Sequence, residues 1–469
     1  MGPATPIGYP AEAAPDAYSL GRPAIETLVR LNKGGIVLPA LATSWTIADD
    51  GNSITFTLRE GVKFHDGSDL TADVVKWNFD TAIEAKKAND WTSVDVVDPM
   101  TVRVHLNGYK NTVLTGFSAG AAQIISKANV DTNGLEYARW HPVGTGPFKF
   151  KEFIRDASLE YERNDNYWGK DADGNPLPYL DGLMYTVIAD ETVRNIAFQQ
   201  GEITRLTATG LVAQQLDQAG YEFFAEAGGT MVLIPDSANP DSPFSDIHVR
   251  QAVSYAINRD AMVTGLGFGF ASPAYQLYPG FTQTKISSTV VNEYNLDKAR
   301  QLLADAGYPD GFRTTIHAFI RIVPRDYISA IANMLAEVGI IVEQDFPEAG
   351  AYTELRFGGW SDAMMGHGMA DFDNLNSGFT FYFSGTQFQS CQKPDGWQEA
   401  LDAALATEEI DAAKTQAIVK LIDENQMIIP YMEETRIAFF QDGVHAPDYS
   451  QYGLMAFVSD MIWLDEDLK

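Results

Sequence analysis

The sequence is poor in cysteine, in long apolar runs and in positive charge. Cys391 is the one cysteine among 469 residues, which excludes an internal disulfide and any metal centre built from several thiolates. No stretch approaches the roughly 18 consecutive apolar residues of a membrane-spanning helix. Lys and Arg number 33 against 63 Asp and Glu, giving a formal net charge of −30. Because this field repels a phosphate backbone, nucleic acid is a poor partner.

The rest of the composition is that of a folded protein with several domains. Apolar residues make up 45% and charged residues 20%, which are ordinary values for globular chains. Single cores stop growing at roughly 250–300 residues, so we expect two or more domains. The N-terminus lacks the basic and apolar regions of a signal peptide. We interpret it as a start methionine on a trimmed, exported chain, so the missing signal does not argue for the cytoplasm.

Alternating apolar residues predict strands in the first half, mixed with one helix. Residues 40–60 are typical of a hairpin whose turn is Asp49-Asp50-Gly51-Asn52. A helix is expected near 71–87. Further strands are predicted at 101–106, 148–153, 158–163 and 183–189.

From about residue 246, helices alternate with strands. Apolar spacing predicts a helix at 247–260, another after the capping residue Asn295, and a third over 324–339. The strand–helix–strand order at 313–344 indicates a parallel crossover. Together with the first half, this pattern predicts two lobes of α/β character.

One short motif is typical of serine hydrolases. GFSAG at 116–120 fits G-x-S-x-G, in which Ser118 would lie on a strained turn between a strand and a helix. The flanking segments VLT and AAQIISKA loosely provide that strand and helix. The pattern is weakly specific and no HGGG-type oxyanion segment accompanies it, so a plain turn is the favoured interpretation.

Other site patterns are weak. The seven histidines form no H-x-x-x-H pair, so neither a metal nor a cofactor is expected. DADGN at 171–175 and GLGFG at 265–269 lack the remaining features of calcium and dinucleotide sites. GFTFYFSG at 378–385 is harder to assign to a core, because four aromatic residues cannot share one face of an alternating strand. Some of them, including Phe379 and Tyr382, are therefore candidates to line a cleft.

Six ordered segments resemble a known family. They are the segments at 41–75, 143–153, 163–169, 245–263, 294–312 and 334–343. Their sequences include LREGVKFHDGSDLTADVV, VGTGPFKFKEF, RNDNYWG and SDIHVRQAVSYAINRDAMV. They resemble the family 5 bacterial extracellular solute-binding proteins, the dipeptide-, oligopeptide- and nickel-binding components of ABC importers. The resemblance is strong over about 40–345 and fainter beyond.

The resemblance implies a two-lobed periplasmic-binding-protein fold of type II, cluster C, that closes on a solute. Lobe I would comprise residues 1–240 and 436–469, with an inserted subdomain at about 46–165, and lobe II residues 241–435. The chain would cross between lobes near 232–244 and near 430–440. It also implies a monomer that delivers its solute to ABC permease subunits, as a periplasmic protein or a cell-surface lipoprotein.

One departure from the family pattern concerns the ligand. Peptide binders of the family carry Gly-Trp and then a longer acidic run whose acid holds the peptide ammonium. Here GHGMADFDN at 366–374 has His367 in place of Trp and is about two residues shorter. Ala370 falls near the ammonium position, although Asp371 could shift into it. Simple dipeptides are therefore doubtful, while oligosaccharides, peptide-like compounds and chelates stay open. His367 is expected to donate a hydrogen bond in the cleft rather than hold a chelated metal.

The remaining ligand candidates are basic or aromatic. Arg321 and Arg325, near predicted strand ends, are candidates to pair with a ligand carboxylate or to form surface salt bridges. Tyr18, Arg22 and Trp140 are weaker candidates from the first lobe. The expected function is non-enzymatic capture of a small organic solute for an ABC importer. The alternatives are a secreted esterase using Ser118 and a sensory or chaperone-like binding protein.

Overall fold

The computed structural model describes residues 5–32, 35–118, 120–208, 210–370, 372, 374–385, 387–447 and 459–465. The chain divides into two compact units. The first unit is Met1–Leu206 together with Phe440–Lys469, and the second is Thr207–Phe439. Both units combine helices with β-sheet.

The elements up to the first boundary are mostly short. In chain order they are α1 (Pro15–Gly21), β1 (Val29–Leu31), β2 (Val37–Pro39), β3 (Ala42–Ile47), β4 (Ser53–Leu58), α2 (Ala72–Glu84), β5 (Trp91–Asp98), β6 (Thr101–Leu106), α3 (Asn111–Gly116), α4 (Lys127–Asn133), α5 (Leu135–Trp140), β7 (Phe148–Ile154), β8 (Ser158–Arg163), β9 (Gly182–Thr186), α6 (Glu191–Gln199) and β10 (Arg205–Thr207).

Helices and strands then alternate more regularly. The elements are α7 (Gly210–Gln218), β11 (Phe223–Pro235), α8 (Ile247–Ala256), α9 (Arg259–Leu266), β12 (Ala271–Pro273), α10 (Leu296–Asp305), β13 (Phe312–Ala318), α11 (Arg325–Ala336), β14 (Ile340–Asp345), α12 (Ala349–Gly358), β15 (Ala363–Met369), α13 (Leu375–Phe383), α14 (Trp397–Leu405), α15 (Ala412–Glu424) and β16 (Ile429–Phe440). Back in the first unit follow β17 (Val444–His445) and β18 (Trp463–Leu464).

The first unit is built on antiparallel sheets. One has the order β3-β4-β6-β5 and another the order β7-β8-β9. The predicted hairpin is confirmed, because β3 and β4 pair antiparallel around a turn in which Gly51 has φ +67°. In β4 the alternate residues Ile54, Phe56 and Leu58 are buried. The predicted helix near 71–87 is α2, which begins where the Thr71 side chain accepts a hydrogen bond from the Val74 amide.

The second unit is built on one mixed sheet. Within this unit its order is β16-β11-β15-β13-β14, and β12 also pairs with β16. The predicted parallel crossover is confirmed, because β13 and β14 pair in parallel with α11 between them. β15 joins β13 in parallel, whereas β11 is antiparallel to both β15 and β16. Two hydrophobic cores, one containing Ile316 and Leu335 and the other Met365 and Phe379, account for the apolar strands.

The compact units and the predicted lobes have different boundaries. The units divide after Leu206 and after Phe439, whereas the lobes were expected to meet near residues 240 and 435. The difference lies in β11. It pairs with β16 over 223–233 and with β15 over 230–235. Of these partners, β15 lies in the second unit and β16 lies almost wholly in it. These pairings place all of β11 in the second unit. The predicted lobes, with the subdomain at 46–165, stay a prediction.

The aromatic segment at 378–385 corrects an expectation. It was interpreted as an alternating strand, but residues Leu375–Phe383 form α13, which begins where the Asn374 side chain accepts a hydrogen bond from the Asn376 amide. Helical spacing puts Phe379, Tyr382 and Phe383 on one face, where all three are buried. The buried face of helix α13 therefore accounts for three of the four aromatic residues.

Candidate functional site

The carboxyl ends of three parallel strands define one edge of the second unit. β13 ends at Ala318, β14 at Asp345 and β15 at Met369, and the three strands are neighbours in the sheet. In α/β sheets, ligands bind preferentially outside the carboxyl ends of strands. We call this edge, with the loops that leave it, the carboxyl edge.

Two arginines stand at the carboxyl edge. Arg321 lies in the loop after β13 and Arg325 opens α11, and both are exposed. The Arg325 guanidinium lies 3.9 Å from the ring centroid of Phe346, the residue after β14. Within the described ranges, neither arginine has a carboxylate within ion-pair distance. The surface salt bridges that were the alternative role for these residues are therefore not formed there.

β11 and β16 bring further polar groups to the same edge. Thr230 of β11 pairs with Met369 on one side and with Glu433 on the other, so the three side chains lie in one row on one face. The Gly280 amide donates to Glu433 Oε1 at 2.9 Å, and Glu433 is 8% exposed. Sequence analysis did not single out Glu433, although the polar run Glu433–Arg436 interrupts a strand that is apolar on both sides, and this run was the available signal.

A close backbone approach fixes the geometry of this row. A Cβ on Gly229 would lie 2.8 Å from the Met369 carbonyl oxygen, closer than a side chain allows. The register between β11 and β16 also shifts between Ala227 and Thr230. This bulge bends β11 beside the candidate site.

Ala370 is held through its backbone. Its amide donates to the Tyr382 hydroxyl at 2.9 Å, and its carbonyl accepts from the Tyr278 hydroxyl at 2.7 Å. The Tyr278 amide in turn donates to Thr230 Oγ1 at 3.0 Å. The position expected to lack an ammonium-binding acid is thus fixed next to the row that carries Glu433. Asp371, the alternative acid, lies outside the described residues.

His367 belongs to the interior of the second unit rather than to a cleft. It is 2% exposed, and its Nδ1 lies 2.7 Å from the Tyr352 hydroxyl. Burial, together with a smaller contribution from the nearby Arg356 cation, lowers the pKa of His367 to about 3. The neutral, enclosed imidazole is therefore a core side chain at this position. The expected hydrogen bond exists, but its partner is Tyr352.

Phe379 and Tyr382 differ in what they can reach. Phe379 is 0% exposed, so the structure moves it from the candidate site to the core. The Tyr382 ring is buried as well, but its hydroxyl contacts the Ala370 amide at the carboxyl edge. Only Tyr382 keeps a polar atom next to the candidate site.

The candidates from the first unit are engaged in local contacts. The Tyr18 hydroxyl donates to the Pro10 carbonyl, and Arg22 caps α1 as a half-buried residue. The Trp140 ring stacks on Phe153 with the Arg155 guanidinium 5.5 Å from its centroid. Their role in solute binding stays a prediction.

The first unit also contains a polar cluster that the sequence did not reveal. Glu26 accepts hydrogen bonds from Thr145 Oγ1 at 2.7 Å, Trp168 Nε1 at 2.8 Å and the Tyr167 hydroxyl at 3.0 Å. Burial raises the pKa of the Glu26 carboxyl to about 7, although these three hydrogen bonds lower it. The donors come from residues more than 100 positions away, so no local pattern predicts the cluster.

The surroundings of Ser118 do not match a nucleophile elbow. The preceding segment is helix α3 rather than a strand, and the Ser118 hydroxyl donates to the Thr115 carbonyl at 2.7 Å. Gly120 leaves room for the Tyr18 ring, which a Cβ there would overlap. The expectation of a strand before the motif is wrong, and packing explains its second glycine. Within the described part of the chain, no group of His, Cys, Asp and Glu side chains could hold a metal ion.

Comparison with solved structures establishes the fold class. The chain is similar to HbpA2 from Haemophilus parasuis, with a TM-score of 0.83 and 22% identity over 99% of this chain and 98% of that one. It is also similar to the periplasmic binding protein DppA from Helicobacter pylori in complex with the peptide STSA, with a TM-score of 0.78, 24% identity and coverage of 99% and 97%. The predicted two-lobed α/β fold of type II periplasmic binding proteins is confirmed.

Sequence comparison then establishes the family. Residues 37–390 match the bacterial extracellular solute-binding proteins, family 5. The chain belongs to this family, as the ordered segments indicated. The glutathione-binding protein GsiB of Salmonella paratyphi A is 31% identical over 322 residues, which are 67% of this chain and 62% of the relative. GsiB of Escherichia coli O157:H7 is 31% identical over 319 residues, or 66% and 61%. No helix within the described residues is long and apolar enough to cross a membrane.

Proposed function

We propose that this chain is the substrate-binding component of an ABC importer and that it captures a small, peptide-like solute through a carboxylate of that solute. Membership of the solute-binding family supports binding rather than catalysis. The observation that carries the carboxylate assignment is the pair Arg321 and Arg325 at the carboxyl edge of the second unit.

The argument for these arginines is one of charge. The chain has 63 acidic residues for 33 basic ones, so a basic side chain readily finds an internal partner. Arg321 and Arg325 are exposed, and no salt bridge to either is formed within the described ranges. Guanidinium groups bind carboxylates through two parallel hydrogen bonds. A solute carboxylate is therefore the partner that these two guanidinium groups are suited to bind.

The relatives suggest the class of solute. GsiB is named for glutathione, a tripeptide with two carboxylates and one ammonium group. A peptide-like solute of that kind would use Arg321 and Arg325 for one carboxylate. Its ammonium group would lie near the row of Thr230 and Glu433, where Glu433 takes the place of the acid that is missing at Ala370. Closure of two lobes over the solute would complete the capture.

Calorimetry with glutathione tests the carboxylate assignment. Replacing Arg321 by Met removes a hydrogen bond between charged groups, which is typically worth about 1.5–3 kcal/mol, so affinity falls by roughly one to two decades. Arg313→Met is the matched control, because Arg313 is exposed at the start of β13, the end of that strand opposite the carboxyl edge and Arg321. Equal affinity for Arg321→Met and wild type would contradict the assignment.

The ammonium assignment needs a second comparison. Glu433→Gln should weaken the binding of glutathione about tenfold and leave the binding of N-acetylglutathione nearly unchanged, because the acetylated amine carries no charge. A uniform loss for both compounds would indicate a structural role for Glu433. If oligosaccharides raise the unfolding midpoint and neither compound binds, the solute class itself is wrong.

Coupling to an importer and location outside the cytoplasm are proposed on the same basis. The family is described as extracellular, which favours a periplasmic protein or a cell-surface lipoprotein that meets permease subunits at the membrane. Deletion of the gene should abolish uptake of the labelled solute, and its return should restore uptake. Unchanged uptake would favour a sensory role instead.

A further inference from the structure

A third arginine of the second unit lies in an unusual environment. Arg356, in the last turn of α12, is surrounded by four aromatic rings. Its guanidinium carbon lies 5.5 Å from the ring centroid of Phe388, 5.6 Å from Phe381, 5.8 Å from Phe357 and 5.9 Å from Tyr382. Phe357 and Phe381 are 48% and 47% exposed, so the group of rings is open to solvent on one side.

The charged side chain of Arg356 has no polar partner among the residues that the structure describes. Its side chain makes no hydrogen bond and no ion pair with any residue in the described ranges, and its Nε is buried without an acceptor. Arg356 is half-buried, and burial lowers the pKa of its guanidinium. Cation–π contacts compensate only in part, at about 0.5–1 kcal/mol each for exposed sites. A desolvated cation is normally paired with an anion.

A purely structural role explains part of this environment. A cation in the last turn of a helix interacts favourably with the helix dipole, which accounts for a basic residue at position 356. That effect does not account for four rings around the guanidinium, nor for a buried Nε–H without an acceptor. Both features fit a site that is completed by an anion from outside.

We propose that Arg356 and the four aromatic side chains around it form a binding site for a carboxylate attached to a flat or apolar group. The guanidinium supplies the two parallel N–H donors that match a carboxylate, and the exposed faces of Phe357 and Phe381 cover the apolar part of the ligand. Aromatic rings already hold the guanidinium in place, so little side-chain freedom is lost on binding.

This site uses a different arginine from the site proposed around Arg321 and Arg325, although Tyr382 borders both the Arg356 guanidinium and the carboxyl edge. α12 begins after β14 ends and finishes before β15 begins, so it runs back along the sheet. The backbone of its last turn therefore lies toward the end of the sheet opposite Arg321, but the Arg356 guanidinium lies 5.9 Å from the Tyr382 ring, whose hydroxyl accepts from the Ala370 amide at the carboxyl edge. The inference does not depend on the proposed solute.

Benzoate is the probe for this site and benzamide is its neutral control. Saturation-transfer NMR on the full chain should show that benzoate binds at one site and that benzamide binds at least tenfold more weakly. Arg356→Met should lower benzoate affinity at least tenfold, while Arg313→Met, at an exposed arginine without surrounding rings, should leave it unchanged. If Arg356→Met does not fold, Arg356→Lys serves instead, and loss of the planar fork should weaken benzoate several-fold.

Three outcomes would overturn the inference. They are equal binding of benzamide and benzoate, unchanged benzoate affinity in both Arg356 variants, and no benzoate binding to the wild type. Displacement of benzoate by glutathione would show one shared site and would also count against a separate one. Failure of glutathione to bind leaves the benzoate result standing, so this test and that of the proposed function are distinguishable.

Discussion

Two regions of the second unit place an arginine in opposite environments. Arg259, at the start of α9, is 1% exposed and donates to the carbonyls of Ala274, Pro430 and Ser254 and to the Ser254 hydroxyl at 2.8–3.0 Å. At the carboxyl edge, Arg321 is exposed and forms no such bonds within the described ranges. The first arginine joins strands and loops of the unit, whereas the second leaves its donors to another molecule. A buried guanidinium whose three nitrogens all donate hydrogen bonds is a structural element, and unused donors indicate binding.

The largest expected effect comes from breaking the Arg259 region. Arg259→Met leaves several buried carbonyls without a donor, and each such loss typically costs about 1–3 kcal/mol. We expect the variant to lose at least about 3 kcal/mol of stability, visible as a large fall in the urea midpoint of the second unit. Arg313→Met provides the baseline for an exposed arginine. If Arg259→Met lowered the urea midpoint no more than Arg313→Met does, the contrast between the two regions would be removed.

How much the sequence predicted depends on the range of the interactions. The hairpin at 40–60, the helix at 72–84 and the crossover at 313–344 arise from local alternation, capping and apolar spacing, and all three are confirmed. The family segments also predicted the fold. The prediction from periodicity was wrong at 378–385, because a run of aromatic residues is compatible with a buried helix as well as with a strand.

The candidate site was less predictable, because strand order creates it. Arg321 and Arg325 were found because they follow a recognisable strand. Glu433 was missed, since only the pairing of β16 with β11 and of β11 with β15 places it in the row of Thr230 and Met369. His367 was assigned to a cleft from its alignment alone, and the structure places its imidazole against Tyr352 instead.

A smaller effect on stability is expected in the first unit, where the buried Glu26 carboxyl accepts hydrogen bonds from three side chains. Its pKa is raised from 4.5 to about 7 in the folded protein, so folding favours the protonated form. This contribution to stability is complete below about pH 4.5 and is lost as the pH rises through about 7. Glu26→Gln should therefore flatten the fall of the unfolding midpoint between pH 5 and pH 8, relative to wild type. Parallel curves for the two proteins would show that Glu26 is charged throughout this range.

The smallest expected effect is on the stability of the carboxyl-edge variants. Arg321 and Arg325 are exposed, and neither has an ion pair or a donated side-chain hydrogen bond in the described ranges, so truncation removes no intramolecular polar contact. Arg325 gives up only its contact with the Phe346 ring, about 0.5–1 kcal/mol for an exposed site. We expect Arg321→Met to change stability by less than about 0.5 kcal/mol and Arg325→Met by slightly more, measured from urea midpoints at constant slope. Because glutathione affinity is expected to fall in Arg321→Met, the two measurements together separate binding from folding. A loss above about 1 kcal/mol for Arg321→Met would reveal an internal partner, and the arginine would then resemble Arg259.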